Sequence, residues 1–247
     1  MKRLIAVTLA VLLGCALGAC RRSANKPATP ANATGESGAE AMQREATALV
    51  EKGKELSLNN DDKQAVAAFQ QAIKLNPDLA EAHFRLGLEF NALERKPEAE
   101  ESLKKSITLY KKVVDADPKD ADAFFNMGEA YTLLHLDEEA ARSFRQVTRL
   151  RPDDEEAYYQ FGKAETRLAR YDEAVTAFQK ALELNPGNTR LNDALDDARE
   201  GVKRIKEGKK HAEDQLKKQQ ANANANGNAN SNAKPNPKRS PAKPGEY

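Results

Sequence analysis

The chain of 247 residues has few of the side chains that enzymes use for catalysis. Its three histidines, at positions 83, 135 and 211, are too far apart in sequence to show the spacing of metal ligands. No serine or cysteine nucleophile with a recognisable base is present, and no glycine-rich phosphate loop. We therefore expect a protein that is not an enzyme and uses no cofactor, metal ion or small-molecule substrate.

Long apolar runs are also absent, except for the N-terminal MKRLIAVTLAVLLGCALGAC. Two basic residues precede this run and small residues end it at Cys20, which is typical of a secretory signal. The stretch Leu17-Gly18-Ala19-Cys20 resembles the lipobox of bacterial lipoproteins. That resemblance implies removal of a signal peptide, residues 1–19, and lipidation of Cys20.

Two alternatives to lipidation at Cys20 stay open. Leu12-Leu13-Gly14-Cys15 also fits the lipobox pattern, although it leaves a shorter apolar run. The run could instead be an uncleaved membrane anchor, but its 17 uncharged residues are few for a spanning helix, which needs about 20. Arg21 and Arg22 follow Cys20, and lipoproteins of diderm bacteria that stay in the inner membrane usually carry aspartate at the second position. We therefore expect an anchor in the outer membrane of the cell envelope, with the protein facing the periplasm.

The charges are distributed unevenly, although the 39 basic and 38 acidic residues nearly balance. The net charge is +3 over residues 1–45, −9 over 46–200 and +7 over 201–247. Residues 20–40 are small, polar and rich in proline, so we expect a flexible tether. Residues 220–247 are of low complexity, and we expect a disordered basic tail.

The region between these segments repeats the same residues at a nearly constant period. Glycines recur 34, 41 and 34 residues apart, and prolines recur 41, 34 and 34 apart. This pattern resembles the tetratricopeptide repeat, with units 46–79, 80–120, 121–154 and 155–188 inside a domain 41–188. The residues that carry it are Gly53, Gly87, Gly128 and Gly162, then Ala65, Ala140 and Ala174, then Phe69, Phe144 and Phe178, and Pro77, Pro118, Pro152 and Pro186.

The resemblance implies an all-α solenoid in which each unit is a pair of antiparallel helices. We expect each alanine to fill the gap beside a glycine and each phenylalanine to pack between pairs. Asp137 and Asp172 are predicted N-caps, and Pro97 suits a first helical turn. Repeat 2 has seven additional residues, which predicts a long helix over about 97–116 that projects past its neighbours, either as a contact site or as tolerated drift. Leu191, Leu195 and Ala198 predict a capping helix over 189–219.

Tetratricopeptide arrays bind peptides in a concave groove that their first helices form. At the fifth position of successive units, the resemblance predicts an aromatic ladder of Phe84, Phe125 and Tyr159; alternatively, these rings pack between helices. It implies that the fourth positions, His83, Phe124 and Tyr158, lie in the core. The polar residues expected in the groove are Arg85, Glu129, Lys163 and Arg167.

We therefore expect a lipid-anchored scaffold for another envelope protein. Lipoproteins with such repeats include pilotins, outer-membrane assembly subunits and adaptors for cell-wall hydrolases, and the sequence does not choose among them. The alternative function is an envelope tether whose basic tail binds anionic cell-wall polymer or lipid. Nucleic acid is not an expected partner, because the basic tail has no interleaved aromatic residues.

Overall fold

The computed structural model describes residues 37–231. The predicted signal peptide, the lipidated Cys20, most of the tether and the last part of the tail lie outside these residues. From Gln43 onward the chain belongs to one compact unit, and every contact discussed below lies within it.

Residues 37–231 form nine helices, and no strand occurs among them. The helices pair as the repeat predicts, each second helix following its first helix after a short turn, so the all-α repeat fold is confirmed. The first helices are α1 (Gly38–Leu58), α3 (Ala80–Ala92), α5 (Ala121–Leu133) and α7 (Glu155–Arg167). The second helices are α2 (Asp62–Leu75), α4 (Lys96–Ala116), α6 (Asp137–Leu150) and α8 (Tyr171–Leu184), and α9 (Thr189–Ser231) follows them.

A glycine in each first helix lets the second helix approach closely. A methyl group added at Gly162 would lie 2.6 Å from the ring of Phe178, and one added at Gly128 would lie 2.8 Å from the ring of Phe144. The phenylalanine therefore fills the space beside the glycine. The prediction that the alanine fills this space is wrong. The alanines Ala65, Ala140 and Ala174 are fully buried in the same cores.

Asp137 and Asp172 are not N-caps. They lie in the first turns of α6 and α8, whose N-cap residues are Leu136 and Arg170. The helix α6 begins one residue earlier than predicted and α8 begins two residues earlier, because a residue with positive φ reverses the chain just before each of them. Those residues are His135, with φ of 57°, and Ala169, with φ of 56°.

Aspartates do cap two of the first helices. Asp120 accepts a hydrogen bond from the backbone N–H of Ala123 at 2.8 Å, and Asp154 accepts one from Ala157 at 2.9 Å. Such caps satisfy backbone donors that have no partner inside the helix. Pro97 lies in the first turn of α4, as predicted.

The long helix of repeat 2 is present, and it packs against its neighbours. Leu103, Ile107 and Tyr110 are buried along one side of α4, and Val113 and Val114 pack against the same core. The additional turns thus pack on this core, whereas we had expected them to project past their neighbours.

The helix α9 caps the array and is longer than predicted. Leu191, Leu195 and Ala198 are buried, which confirms the packing face of the cap. The helix continues to Ser231, so the prediction of disorder from residue 220 is wrong for residues 220–231. Alanines favour a helix in this stretch, and the first proline after the start of α9 is Pro235. None of the helices in residues 37–231 is long and apolar enough to span a bilayer.

Candidate protein-binding site

Charged side chains link α1 to α3 at one end of the array and α7 to α9 at the other. Lys54 Nζ on α1 lies 3.5 Å from Glu81 Oε1 on α3, and Arg85 Nε lies 3.5 Å from the same oxygen. At the other end of the array, Arg190 on α9 donates a 2.5 Å hydrogen bond to Glu156 on α7. We call the surface that carries these residues the first-helix face. It is the surface on which the sequence predicted a binding groove.

The middle of the first-helix face has two charges without direct counter-ions. Glu129 on α5 and Lys163 on α7 are half-buried, and neither side chain forms an ion pair or a hydrogen bond with any residue in the described part of the chain. Burial raises the pKa of Glu129, against the opposing effect of Arg85. Burial also lowers the pKa of Lys163, and the nearby Arg167 adds to this effect. Both groups are therefore partly desolvated and available to a charged partner.

Phe84 is not part of a surface ladder. Its side chain is fully buried, and its ring lies edge-on to Tyr110 with centroids 6.3 Å apart. Tyr110 belongs to the additional turns of α4, which the other second helices lack. The prediction that Phe84 lines the groove is therefore wrong, because the longer α4 covers it.

Phe125 and Tyr159 are half-buried, and each packs on a phenylalanine of its own second helix. The ring centroids are 5.5 Å apart for Phe125 and Phe144, and 5.9 Å apart for Tyr159 and Phe178. The guanidinium of Arg190 lies 3.9 Å from the centroid of Tyr159, and Lys163 Nζ lies 5.2 Å from it. These two rings thus pack between helices and also retain exposed surface. Both alternatives from the sequence, packing between helices and a place in the groove, therefore apply to them.

Two other predicted groove residues, Arg167 and Arg85, already have partners inside the fold. Arg167 donates to Asp137 and, at 3.3 Å, to Thr132 Oγ1, so it joins α7 to the preceding repeat. Arg85 lies 5.5 Å from the centroid of Phe84, and its Nε is buried without a hydrogen-bond partner in the described residues. Arg85 also donates from Nη2 to Glu81 Oε1 at 3.5 Å, so it is held on α3, whereas Arg167 joins two repeats.

The fourth positions are not uniformly in the core, as the resemblance had implied. Phe124 packs against the core, but His83 and Tyr158 are half-buried and line open grooves on the opposite side of the first helices. His83 holds its ring by a 3.0 Å contact between Nε2 and the carbonyl oxygen of Pro77.

A buried charge in the last repeat was not predicted from the sequence. Glu165 is fully buried, with Oε1 3.2 Å from Arg145 Nη2 and Oε2 3.5 Å from Arg170 Nη1. The equivalent residues of the preceding repeats are Phe90 and Tyr131. The sequence did indicate this site, because Glu165 is a charged residue at a position that is aromatic in the two preceding repeats. No cluster of histidine, cysteine and carboxylate groups that could hold a metal ion occurs within residues 37–231.

Models of the tetratricopeptide repeat match the chain throughout the array. They cover residues 53–90, 80–113, 121–154 and 155–188. The chain belongs to the tetratricopeptide repeat family. Among curated protein sequences, none matches it.

Two solved structures share the fold of this tetratricopeptide repeat protein. MamA is 24% identical, with a TM-score of 0.50, and the match covers 72% of this chain and 94% of MamA. PilF of Pseudomonas aeruginosa is 20% identical, with a TM-score of 0.52, and the match covers 64% of this chain and 69% of PilF. The family match, together with this likeness in fold, supports a scaffold for protein–protein interaction.

Proposed function

We propose that this protein is anchored in the outer membrane through a lipid on Cys20, faces the periplasm, and binds another envelope protein on its first-helix face. The bound segment would lie in the concave groove that first helices form in this family. The partner would be of the kind that pilotins, outer-membrane assembly subunits or adaptors of cell-wall hydrolases bind.

One observation supports this proposal most strongly. Glu129 and Lys163 lie on adjacent first helices, without direct counter-ions among residues 37–231, beside the half-buried rings of Phe125 and Tyr159. Aromatic anchors next to partly desolvated charges are the usual composition of an energetic centre in an interface. A peptide that offers a cation to Glu129 and a carboxylate to Lys163 would complement both charges.

Affinity capture from solubilised cell envelope tests this proposal. The full chain serves as bait beside Glu129→Lys, Lys163→Glu and the double variant Phe125→Ala/Tyr159→Ala. Lys111→Glu, an exposed change on α4, is the matched control. We expect one protein to be retained by the wild type and the control and to be reduced at least tenfold with the other three. Equal retention by all five would reject the first-helix face as the binding site.

The anchor needs a separate test. We expect metabolic labelling with a fatty-acid analogue to mark the wild type and Cys15→Ser, and to be abolished by Cys20→Ser. Labelling lost only in Cys15→Ser would move the anchor to Cys15, and labelling of neither wild type nor variants would leave the protein without a lipid. Separation of inner from outer membranes then locates the labelled protein.

The exposed half of α9 favours the alternative function as a second candidate. Residues 203–223 are exposed, and 203–218 carry seven basic and three acidic side chains. Such a segment attracts anionic polymer or lipid head groups within about 8 Å at physiological salt. Sedimentation with cell-wall polymer tests it: truncation after residue 202 should abolish the association, while capture of the protein partner persists.

A further inference from the structure

A second groove lies on the opposite side of the repeats from the first-helix face. It has a volume of about 940 Å³ and runs between the second helices α2 and α4, with α3 as its floor. The floor is apolar and consists of Leu86 and Phe90, with Ile73 at the side. We call it the α2–α4 groove. This volume is in the range of sites that hold a ligand or an anchoring side chain.

The same groove recurs, in a smaller form, in the last repeat. Tyr158 and Phe161 line it there, and these residues follow His83 and Leu86 by 75 positions. The volume of this second copy is about 420 Å³. The rings of Tyr158 and Phe161 are larger than the side chains of His83 and Leu86 and fill part of this space. The array thus contains its own example of the groove in a narrower form.

The two copies also differ in charge. Lys180 in the small groove donates a 2.8 Å hydrogen bond to Glu183, which neutralises it. The equivalent lysine of the large groove is Lys105, and Thr108 occupies the place of Glu183. Lys105 and Lys74, on opposite walls, have no counter-ion among residues 37–231. Of the carboxylates near these lysines, Glu98 pairs with Arg95 and Asp78 with Lys112, and Glu101 forms no ion pair with Lys105.

The position of these lysines gives the groove a direction. Burial lowers the pKa of His83, and Lys105 adds to this effect, so Lys105 lies at the His83 end. At the Phe90 end, the guanidinium of Arg95 lies 4.3 Å from the ring centroid and donates to Glu98 at 2.9 Å. That cation is therefore already compensated. The groove thus offers an apolar floor, with two lysines near its His83 end that form no ion pair within residues 37–231.

We propose that the α2–α4 groove is a second docking surface, which binds an amphipathic helix of a partner protein with a carboxylate at the His83 end. Apolar side chains at spacings of three and four residues would lie on Leu86, Phe90 and Ile73, as helices bind in other apolar grooves. The partner's carboxylate would pair with Lys74 and Lys105. The chain's own C-terminal residues are a poor match, because residues 232–247 carry four basic side chains and a single acidic one, Glu246, so their net charge has the same sign as these lysines. The surface is independent of the first-helix face.

Fluorescence anisotropy with two synthetic peptides tests the proposal on the full chain. Both probes are fluorescein-labelled, helix-forming 16-residue peptides with leucines at positions i, i+3 and i+7; one has two glutamates beside the last leucine, and the other has two lysines there. We expect saturable binding of the glutamate peptide and at least tenfold weaker binding of the lysine peptide. Binding of both peptides with equal affinity, or of neither, would overturn the proposal.

Variants that copy the small groove locate the binding. His83→Tyr with Leu86→Phe introduces the residues that α7 already carries at the same positions, so the fold should be retained, which circular dichroism checks. We expect this pair to weaken binding of the glutamate peptide at least tenfold, and Lys105→Glu to weaken it similarly. Lys180→Glu is the matched control and should leave binding unchanged. Equal binding by all variants would place the peptide elsewhere and reject the groove.

Discussion

The ring of Tyr110 lies edge-on to the ring of Phe84, with an angle of 70° between the ring planes. The hydroxyl of Tyr110 also accepts a 3.0 Å hydrogen bond from Asn126 Nδ2. Tyr110 therefore joins α4 to both neighbouring first helices, α3 and α5. Burial raises the pKa of the Tyr110 hydroxyl well above its usual range, so the side chain stays neutral. The seven additional residues of repeat 2 thus have a structural use.

Substitutions at Tyr110 should separate the packing of its ring from its hydrogen bond. Tyr110→Phe retains the ring and removes the acceptor, which should reduce the free energy of unfolding by about 1 kcal/mol. Tyr110→Ala also removes the contact with Phe84, and a loss of about 3–5 kcal/mol is expected. Urea denaturation measures both changes. Equal losses for the two variants would show that the ring contact contributes nothing.

The glycine of the last repeat should not tolerate even a methyl group. In Gly162→Ala the added carbon would lie 2.6 Å from Phe178, and overpacking of this kind costs about 1–3 kcal/mol. Gly208→Ala on α9 is the matched control, since nothing lies within 4 Å of the added carbon. We expect it to stabilise the helix by up to about 1 kcal/mol. Thermal unfolding checks both, and a Gly162→Ala protein as stable as the wild type would contradict the role of this glycine.

The period of the sequence predicted the helix pairs because a physical contact recurs with each period. Gly53, Gly128 and Gly162 meet the rings of Phe69, Phe144 and Phe178, and in repeat 2 Leu103 replaces the ring beside Gly87. A contact between two residues of the same unit leaves a signal at fixed spacing, so the units 80–120, 121–154 and 155–188 could be read directly.

The features that the sequence did not predict depend on contacts between units or on backbone geometry. Phe84 occupies the same position as Phe125 and Tyr159, and only the length of α4 buries it. The start of α6 is set by the positive φ of His135, and no residue type at Asp137 indicates that conformation. Of the predicted ladder, two rings therefore remain on the surface.

The buried carboxylate of Glu165 should be replaceable by an aromatic ring. Glu165→Tyr copies Tyr131 of the preceding repeat, and Arg145 and Arg170 are exposed enough to turn into solvent. We expect its stability to stay within about 1 kcal/mol of the wild type, because buried ion pairs are often neutral relative to apolar replacements. Glu165→Ala leaves a cavity and should lose about 3 kcal/mol. Equal destabilisation by both would mean that the ion pairs themselves stabilise the fold. Urea denaturation distinguishes these outcomes.

The raised pKa of Glu129 predicts a stability difference that depends on pH. Because burial disfavours its charged form, the folded chain binds a proton at Glu129 more readily than the unfolded chain does. The stabilisation by that proton is complete when the pH is below the pKa of Glu129 in the unfolded chain, about 4.3. It is lost as the pH rises through the pKa of Glu129 in the folded chain. Glu129→Gln removes the charge and should therefore be more stable than the wild type at pH 7, with no difference near pH 4.

Urea denaturation of both proteins at several pH values measures this difference directly. Glu55→Gln, on the exposed side of α1, is the control and should follow the wild type at every pH. A Glu129→Gln protein that is less stable than the wild type at pH 7 would mean that Arg85 and Lys163 stabilise the carboxylate by more than burial destabilises it. The cations of the fold would then already stabilise this carboxylate, and Glu129 would not be expected to bind a cation of a partner.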